Sequence, residues 1–289
     1  MHHPTPVNYK AHNPIKGRID VGGYCLAFEY SGERADQDSP AVVLEAGLGV
    51  ASDTWDFIWP KITAFTRAFR YDRAGLGQSD AGPHPRTSGL IVDELHTLLK
   101  KAKIPGPYIL AGHSFGGLNM QLYASRYSHE VVGLVLIDSA FPKIRSELEA
   151  LLPLETPNEN PALHEYRRYL RDVAAYSSEE VDRSACDEQV QAGKIPNSLP
   201  LVALSSTLHT LPPKFSPDFP SDIANRIMLR IQELAAEFVS RSNRSTHIIA
   251  ENSGHFIQID RPDLVIDAIR QIVETVQTAN RIKSYNEKQ

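Results

Sequence analysis

The residue pattern predicts an α/β fold: a mostly parallel sheet, covered by helices on both faces and interrupted once by an inserted helical segment. Three observations carry this. Apolar runs at 41–44, 108–111 and 131–137 lack the apolar–polar alternation of half-exposed strands, as strands buried on both faces do. Apolar residues at helical spacing, such as Ile91, Leu95, Leu98 and Ala102, lie between such runs. Between residues 141 and 196 no strand-like run occurs, and then 199–204 restores one.

Taken in order, 17–21 and 24–30 flank Gly22-Gly23 and read as a hairpin. The buried-type strand 41–44 runs into Glu45-Ala46-Gly47-Leu48-Gly49, and an aromatic-rich segment follows at 54–65. A short strand, 69–71, ends in the glycine-bearing loop 72–80, and a helix is expected over 86–103. Ile104-Pro105-Gly106-Pro107 breaks that helix ahead of the strand 108–111. Strand 131–137 ends at Asp138. The charged stretch after it contains two segments with helical character, 161–176 and 178–192, and long connections of this kind are usually functional. Beyond strand 199–204 come a Pro-rich loop (207–222), an amphipathic helix carrying Ile227, Ile231, Leu234 and Phe238, a last strand at 245–250, and a final helix opened by Pro262.

Composition excludes several classes. The net charge of −5 is small and its signs are interspersed, so neither a nucleic-acid surface nor a polybasic membrane patch is expected. No apolar run reaches the roughly 18 residues that a membrane span needs. Residues 1–14 are polar, without the apolar core of a signal peptide. The two cysteines, Cys25 and Cys186, have no metal or redox spacing, so a reduced, cytoplasmic chain is expected. Nothing in the pattern speaks to oligomeric state.

The chemistry centres on Gly112-His113-Ser114-Phe115-Gly116, which joins an apolar strand directly to a helix-compatible stretch. Gly-x-Ser-x-Gly in that context is a nucleophile elbow, where glycines two residues either side of a strained serine avoid collision with neighbouring backbone. A serine hydroxyl needs a base within reach and an acid behind that base. In elbow proteins the histidine comes last in the chain. Among His164, His209, His247 and His255, the last follows the final strand across a short loop that can deliver it to the sheet edge holding Ser114. His113 is expected to pack or orient. For the acid, Asp138 stands at the end of the strand after the elbow; Asp218 and Asp222, on the Pro-rich loop, are the alternatives. Backbone N–H groups of Leu48 and Phe115 are the candidate oxyanion donors.

Glu45–Gly49, Asp72–Asp80, Gly112–Gly116 and Ser253-Gly254-His255 occur in the order and context of the α/β-hydrolase superfamily, and the chain resembles its serine branch with a helical cap. That resemblance spans about residues 18–278. It implies an eight-stranded, mostly parallel sheet, a Ser-His-acid triad, and a core of 1–140 and 198–289 with 141–197 as the cap. Two departures stand out. The oxyanion loop reads Glu45-Ala46-Gly47 where the branch usually has His-Gly, which points to Glu45 as a partner for Arg73 or a loop anchor. The common acid position after the penultimate strand holds no carboxylate, whereas Asp138 stands where some members place theirs. A serine nucleophile also argues against the relatives that use aspartate there, the haloalkane dehalogenases and epoxide hydrolases. The expected reaction is hydrolysis of a small, apolar, ester-like substrate through an acyl-enzyme, with no metal or organic cofactor. Perhydrolysis, lactone hydrolysis and a non-enzymatic hydrolase-like ligand receptor are the alternatives.

Overall fold

A computed structural model of the chain describes residues 14–31, 39–207 and 218–286. Eight strands form one sheet: β1 (Ile15–Asp20), β2 (Cys25–Ser31), β3 (Ala41–Glu45), β4 (Arg67–Tyr71), β5 (Tyr108–His113), β6 (Val131–Ile137), β7 (Leu201–Ser206) and β8 (Ser245–Ala250). Their spatial order is β1-β2-β4-β3-β5-β6-β7-β8. The β1–β2 and β2–β4 pairs are antiparallel and every pair from β4 onward is parallel. All parallel strands therefore end at one edge, where the loops after β3, β5, β6, β7 and β8 gather.

The central strands show why the sequence lacks alternation. In β3, Ala41 and Val43 pack into one core cluster while Val42 and Leu44 pack into another on the opposite face. Tyr108 and Leu110 of β5 likewise separate from Ile109 and Ala111. Side chains alternate between faces as in any strand, but both faces are covered. One layer holds α2 (Ser88–Lys101), α3 (Phe115–Arg126) and α7 (Ser221–Val239); the other holds α1 (Trp59–Thr63) and α9 (Pro262–Asn286).

Between β6 and β7 lie α4 (Ile144–Ala150), α5 (Pro161–Arg171) and α6 (Arg183–Gln191). Caps set their limits. Asn160 accepts from the N–H groups of Ala162 and Leu163, with Pro161 at the first helical position. The expected helix 161–176 stops at Arg171 because Asp172 caps a new short turn, Val173–Tyr176. The expected helix 178–192 begins only at Arg183, since Val181 bridges to Arg86 and the Asp182 side chain caps α6 by accepting from the Ala185 N–H. Two short helices had no signal in the pattern: α4, entered through Lys143 at φ +65°, and α8 (Ile257–Asp260). Of the Pro-rich loop, 208–217 lie outside the described residues, and with them His209.

Candidate active site

Strand β5 ends at His113 and α3 starts at Phe115, so Ser114 makes the whole turn, at φ +53° and ψ −119°. Non-glycine residues seldom adopt this backbone, and here neighbours hold it. The Ser114 N–H donates to Ile137 O (3.0 Å), and its carbonyl accepts from Gly117 N (3.0 Å) and Ala140 N (2.9 Å). A Cβ at Gly112 would come 2.6 Å from the Gly117 backbone, and one at Gly116 would run into the carbonyl oxygens of Glu45 and Ala46. Both glycines are thus required by close approach.

Asp138, directly after β6, faces His255 on the loop between β8 and α8, with Oδ2 2.7 Å from the ring Nδ1. Its carboxylate also accepts from the Ser206 N–H (2.9 Å, to Oδ1) and hydroxyl (3.1 Å, to Oδ2). Burial pushes the Asp138 carboxyl up, but the His255 bond and charge and the Ser206 N–H outweigh it and hold it below the usual carboxylate range. His113 Nε2 lies 2.8 Å from the His255 carbonyl oxygen, the geometry of a donated N–H. Burial first, then the neighbouring His255, push the His113 pKa down to about 3, so it stays neutral and acts as an uncharged strut.

Ser114 and His255 border one cavity of about 160 Å³ together with Leu48, Phe115 and Ser206. Its opposite wall comes from the segment between β6 and β7, through Arg145, Leu148, Tyr166, Tyr169 and Arg183, and α7 closes a side with Ile227 and Ile231.

The loop after β3 is held by a buried ionic group. Arg73 donates to Ala46 O and Gly47 O (2.6 Å each) and grips Glu179 with Nε (2.7 Å) and Nη2 (2.8 Å). The same Glu179 accepts from the Gly49 N–H at 2.7 Å. Burial raises the Glu179 carboxyl, yet Arg73 and Gly49 bring it below the usual range. Glu45 does not make the closest pair with Arg73, 3.7 Å away; it accepts from Asn119 Nδ2 (2.6 Å) and the Tyr71 hydroxyl (3.0 Å). Burial pushes Glu45 up to about 7 despite those partners.

Other sequence candidates fall elsewhere. His247 sits within β8, its Nε2 2.9 Å from Ser205 Oγ, and His164 lies against Glu159. Asp218 and Asp222 are exposed, and His255 Nδ1 is met by Asp138. Glu155, Glu159 and His164 bring ligand-type atoms within 4.8 Å of one another, but both carboxylates already engage arginines. Sequence reasoning missed Ser206 and Glu179. The carboxylate-free end of β7 was the one hint of the former, and nothing local marked the latter.

The sequence model of the alpha/beta hydrolase family matches residues 42–268. An uncharacterized Bacillus subtilis (strain 168) protein, YqjL, is 31% identical over 239 residues, covering 83% of this chain and 85% of its own. Two solved structures illustrate the shared fold. One is a thermophilic esterase from Thermogutta terrifontis (TM-score 0.56, 18% identity, 92% of this chain and 99% of that one). The other is a loop variant of a haloalkane dehalogenase from Bradyrhizobium elkanii (TM-score 0.63, 16% identity, 94% and 100%).

Proposed function

This chain belongs to the alpha/beta hydrolase family, and from that premise we propose that it is a serine hydrolase of small ester-like substrates. The observation that carries this reading is the 2.7 Å contact of Asp138 Oδ2 with His255 Nδ1, in a cavity that Ser114 borders from a strained turn. With Nδ1 held by the carboxylate, Nε2 is the ring atom that takes the proton in this reading. Ser114 Oγ attacks the carbonyl carbon while His255 Nε2 removes its proton, and the oxyanion forms against the N–H groups of Leu48 and Phe115. The ester C–O bond then breaks and His255 returns its proton to the leaving alcohol. Water, deprotonated by His255, attacks the acyl-enzyme, and the acid leaves as Ser114 recovers its proton. Asp138, kept ionised, holds the ring and stabilises its cation.

Residues 1–140 and 198–289 form the catalytic core in this reading, and 141–197 a helical cap whose Tyr166 and Leu148 give the substrate an apolar surface. A haloalkane dehalogenase with the same fold marks the competing chemistry, and serine at the elbow favours acyl transfer over it. Two free cysteines, Cys25 and Cys186, support a cytoplasmic setting. Among the described residues no helix is long and apolar enough to cross a membrane.

Labelling by a fluorophosphonate and turnover of p-nitrophenyl butyrate test the assignment. Ser114→Ala is expected to abolish labelling and to reduce turnover by on the order of 10⁵-fold or more, with the circular dichroism spectrum unchanged. Turnover by the variant at the wild-type rate ends this reading.

A further inference from the structure

The cavity wall opposite Ser114 carries two guanidinium groups and too few acceptors for them. Arg145, in the first turn of α4, donates through Nη1 to Leu170 O (2.9 Å). Arg183 opens α6 and donates through Nε to Asp187 (3.0 Å). Asp187 also lies 3.8 Å from Arg145 Nη2, so a single carboxylate serves both cations. Two buried N–H groups are left over, Arg145 Nε and Arg183 Nη2, and neither has a hydrogen-bond partner. Arg183 is only 7% exposed. Burial first, and then the charge of Arg183, push the Arg145 pKa down.

Such an arrangement costs stability unless a further acceptor meets it. A buried donor without a partner is unfavourable, and a surplus buried charge more so. Packing alone would be served better by methionine or leucine in these places. The cost is offset when a ligand brings the missing negative charge. Position fixes what that ligand is, because the Arg183 guanidinium lies 5.5 Å from the ring centroid of Phe115, the residue directly after the proposed nucleophile. Both arginines border the same cavity as Ser114. The surplus is one positive charge, which matches a monoanion. The cavity volume of about 160 Å³ suits a small molecule.

We propose that the cavity takes a small ester bearing one free carboxylate, which Arg183 and Arg145 hold at the cap wall while the ester carbonyl meets Ser114. This deepens the serine-hydrolase reading and rests on it for the role of Ser114. Guanidinium forks suit a planar carboxylate, and their rigidity sets the distance from anion to scissile bond. The expected substrate is thus apolar along its chain and anionic at one end.

Two probes differing only in that charge separate the possibilities: monomethyl glutarate, with a free carboxylate, and dimethyl glutarate, without one. Calorimetric binding to the full-length Ser114→Ala protein needs no catalysis, so its outcome is independent of the hydrolase assignment. Binding of the half-ester at least tenfold tighter than the diester is expected. Arg183→Met and Arg145→Met are each expected to bring that ratio toward one, with Arg183→Lys restoring part of it. In the wild type, kcat/KM is expected to show the same preference, carried by KM. Equal binding of the two esters, binding of neither, or a preference untouched by both methionine variants overturns the proposal. Fluorophosphonate labelling of Ser114 reports separately on the hydrolase reading.

Discussion

The buried charges around Ser114 fall into two groups that are handled in opposite ways. In the first group Asp138 accepts three bonds, and Arg73 spends its fork on two carbonyls and on Glu179 of the inserted segment. In the second group Arg145 and Arg183 share one carboxylate and leave two donors over. Phe115 stands between these regimes, with the guanidinium carbons of Arg73 and Arg183 each 5.5 Å from its ring centroid. A satisfied buried charge holds backbone in place, whereas an unsatisfied one is poised for a ligand. Arg67 Nε and Arg86 Nε are also buried without partners, so what singles out Arg145 and Arg183 is an unpaired donor together with a surplus charge beside Ser114.

The largest effect expected from breaking this contrast comes from Asp138→Asn. It keeps the shape of the sheet wall but removes the charge behind His255, and kcat is expected to fall by on the order of 10⁴-fold, measured on p-nitrophenyl butyrate. Next is Arg73→Met, which leaves Glu179 and Glu45 buried without their cation. A loss of about 3–5 kcal/mol in urea unfolding is expected. Arg183→Met, by contrast, removes a surplus charge while Asp187 keeps Arg145, and less than about 1 kcal/mol is expected. Similar losses for both arginine variants would erase the distinction between the two groups.

Ser206→Ala takes one donor from the Asp138 carboxylate, with about 1.5–3 kcal/mol of destabilisation expected. Smallest is a pH effect at Glu45, whose group meets Arg73, Glu179, Tyr71 and Asn119. Its folded pKa of about 7 lies above the ordinary 4.5, so the folded state binds this proton more tightly. The resulting stabilisation is complete below pH 4.5 and is lost as pH rises through 7. Glu45→Gln is therefore expected to match the wild-type Tm at pH 5 and exceed it at pH 8. A constant difference across that range would show that Glu45 does not titrate there.

Much of the fold was legible because it is written in local periodicity. Continuous apolar runs marked β3, β5 and β6, and i, i+3, i+4 spacing marked α2 and α7. Helices α4 and α8 were not legible: each is about one to two turns long, too short for a repeat to show. The elbow could be read from glycine spacing, because the backbone approach that excludes a Cβ there is a local property of the turn. Glu179 was hidden for the opposite reason, since it binds Arg73 across 106 residues and looks like any other glutamate in a charged helical stretch.

By itself the sequence determined the succession of strands and longer helices, the strained serine turn, and a histidine late enough in the chain to reach it. Each is set by residue type and spacing over a dozen positions or fewer. The tertiary structure alone decided which carboxylate stands behind that histidine, 117 residues away, and that Ser206 fills the place where a carboxylate was missing. It also decided that Arg73 is saturated while Arg145 and Arg183 are not. Hydrogen-bond satisfaction is a property of groups meeting across strand order and an inserted segment, and no one-dimensional pattern encodes those meetings.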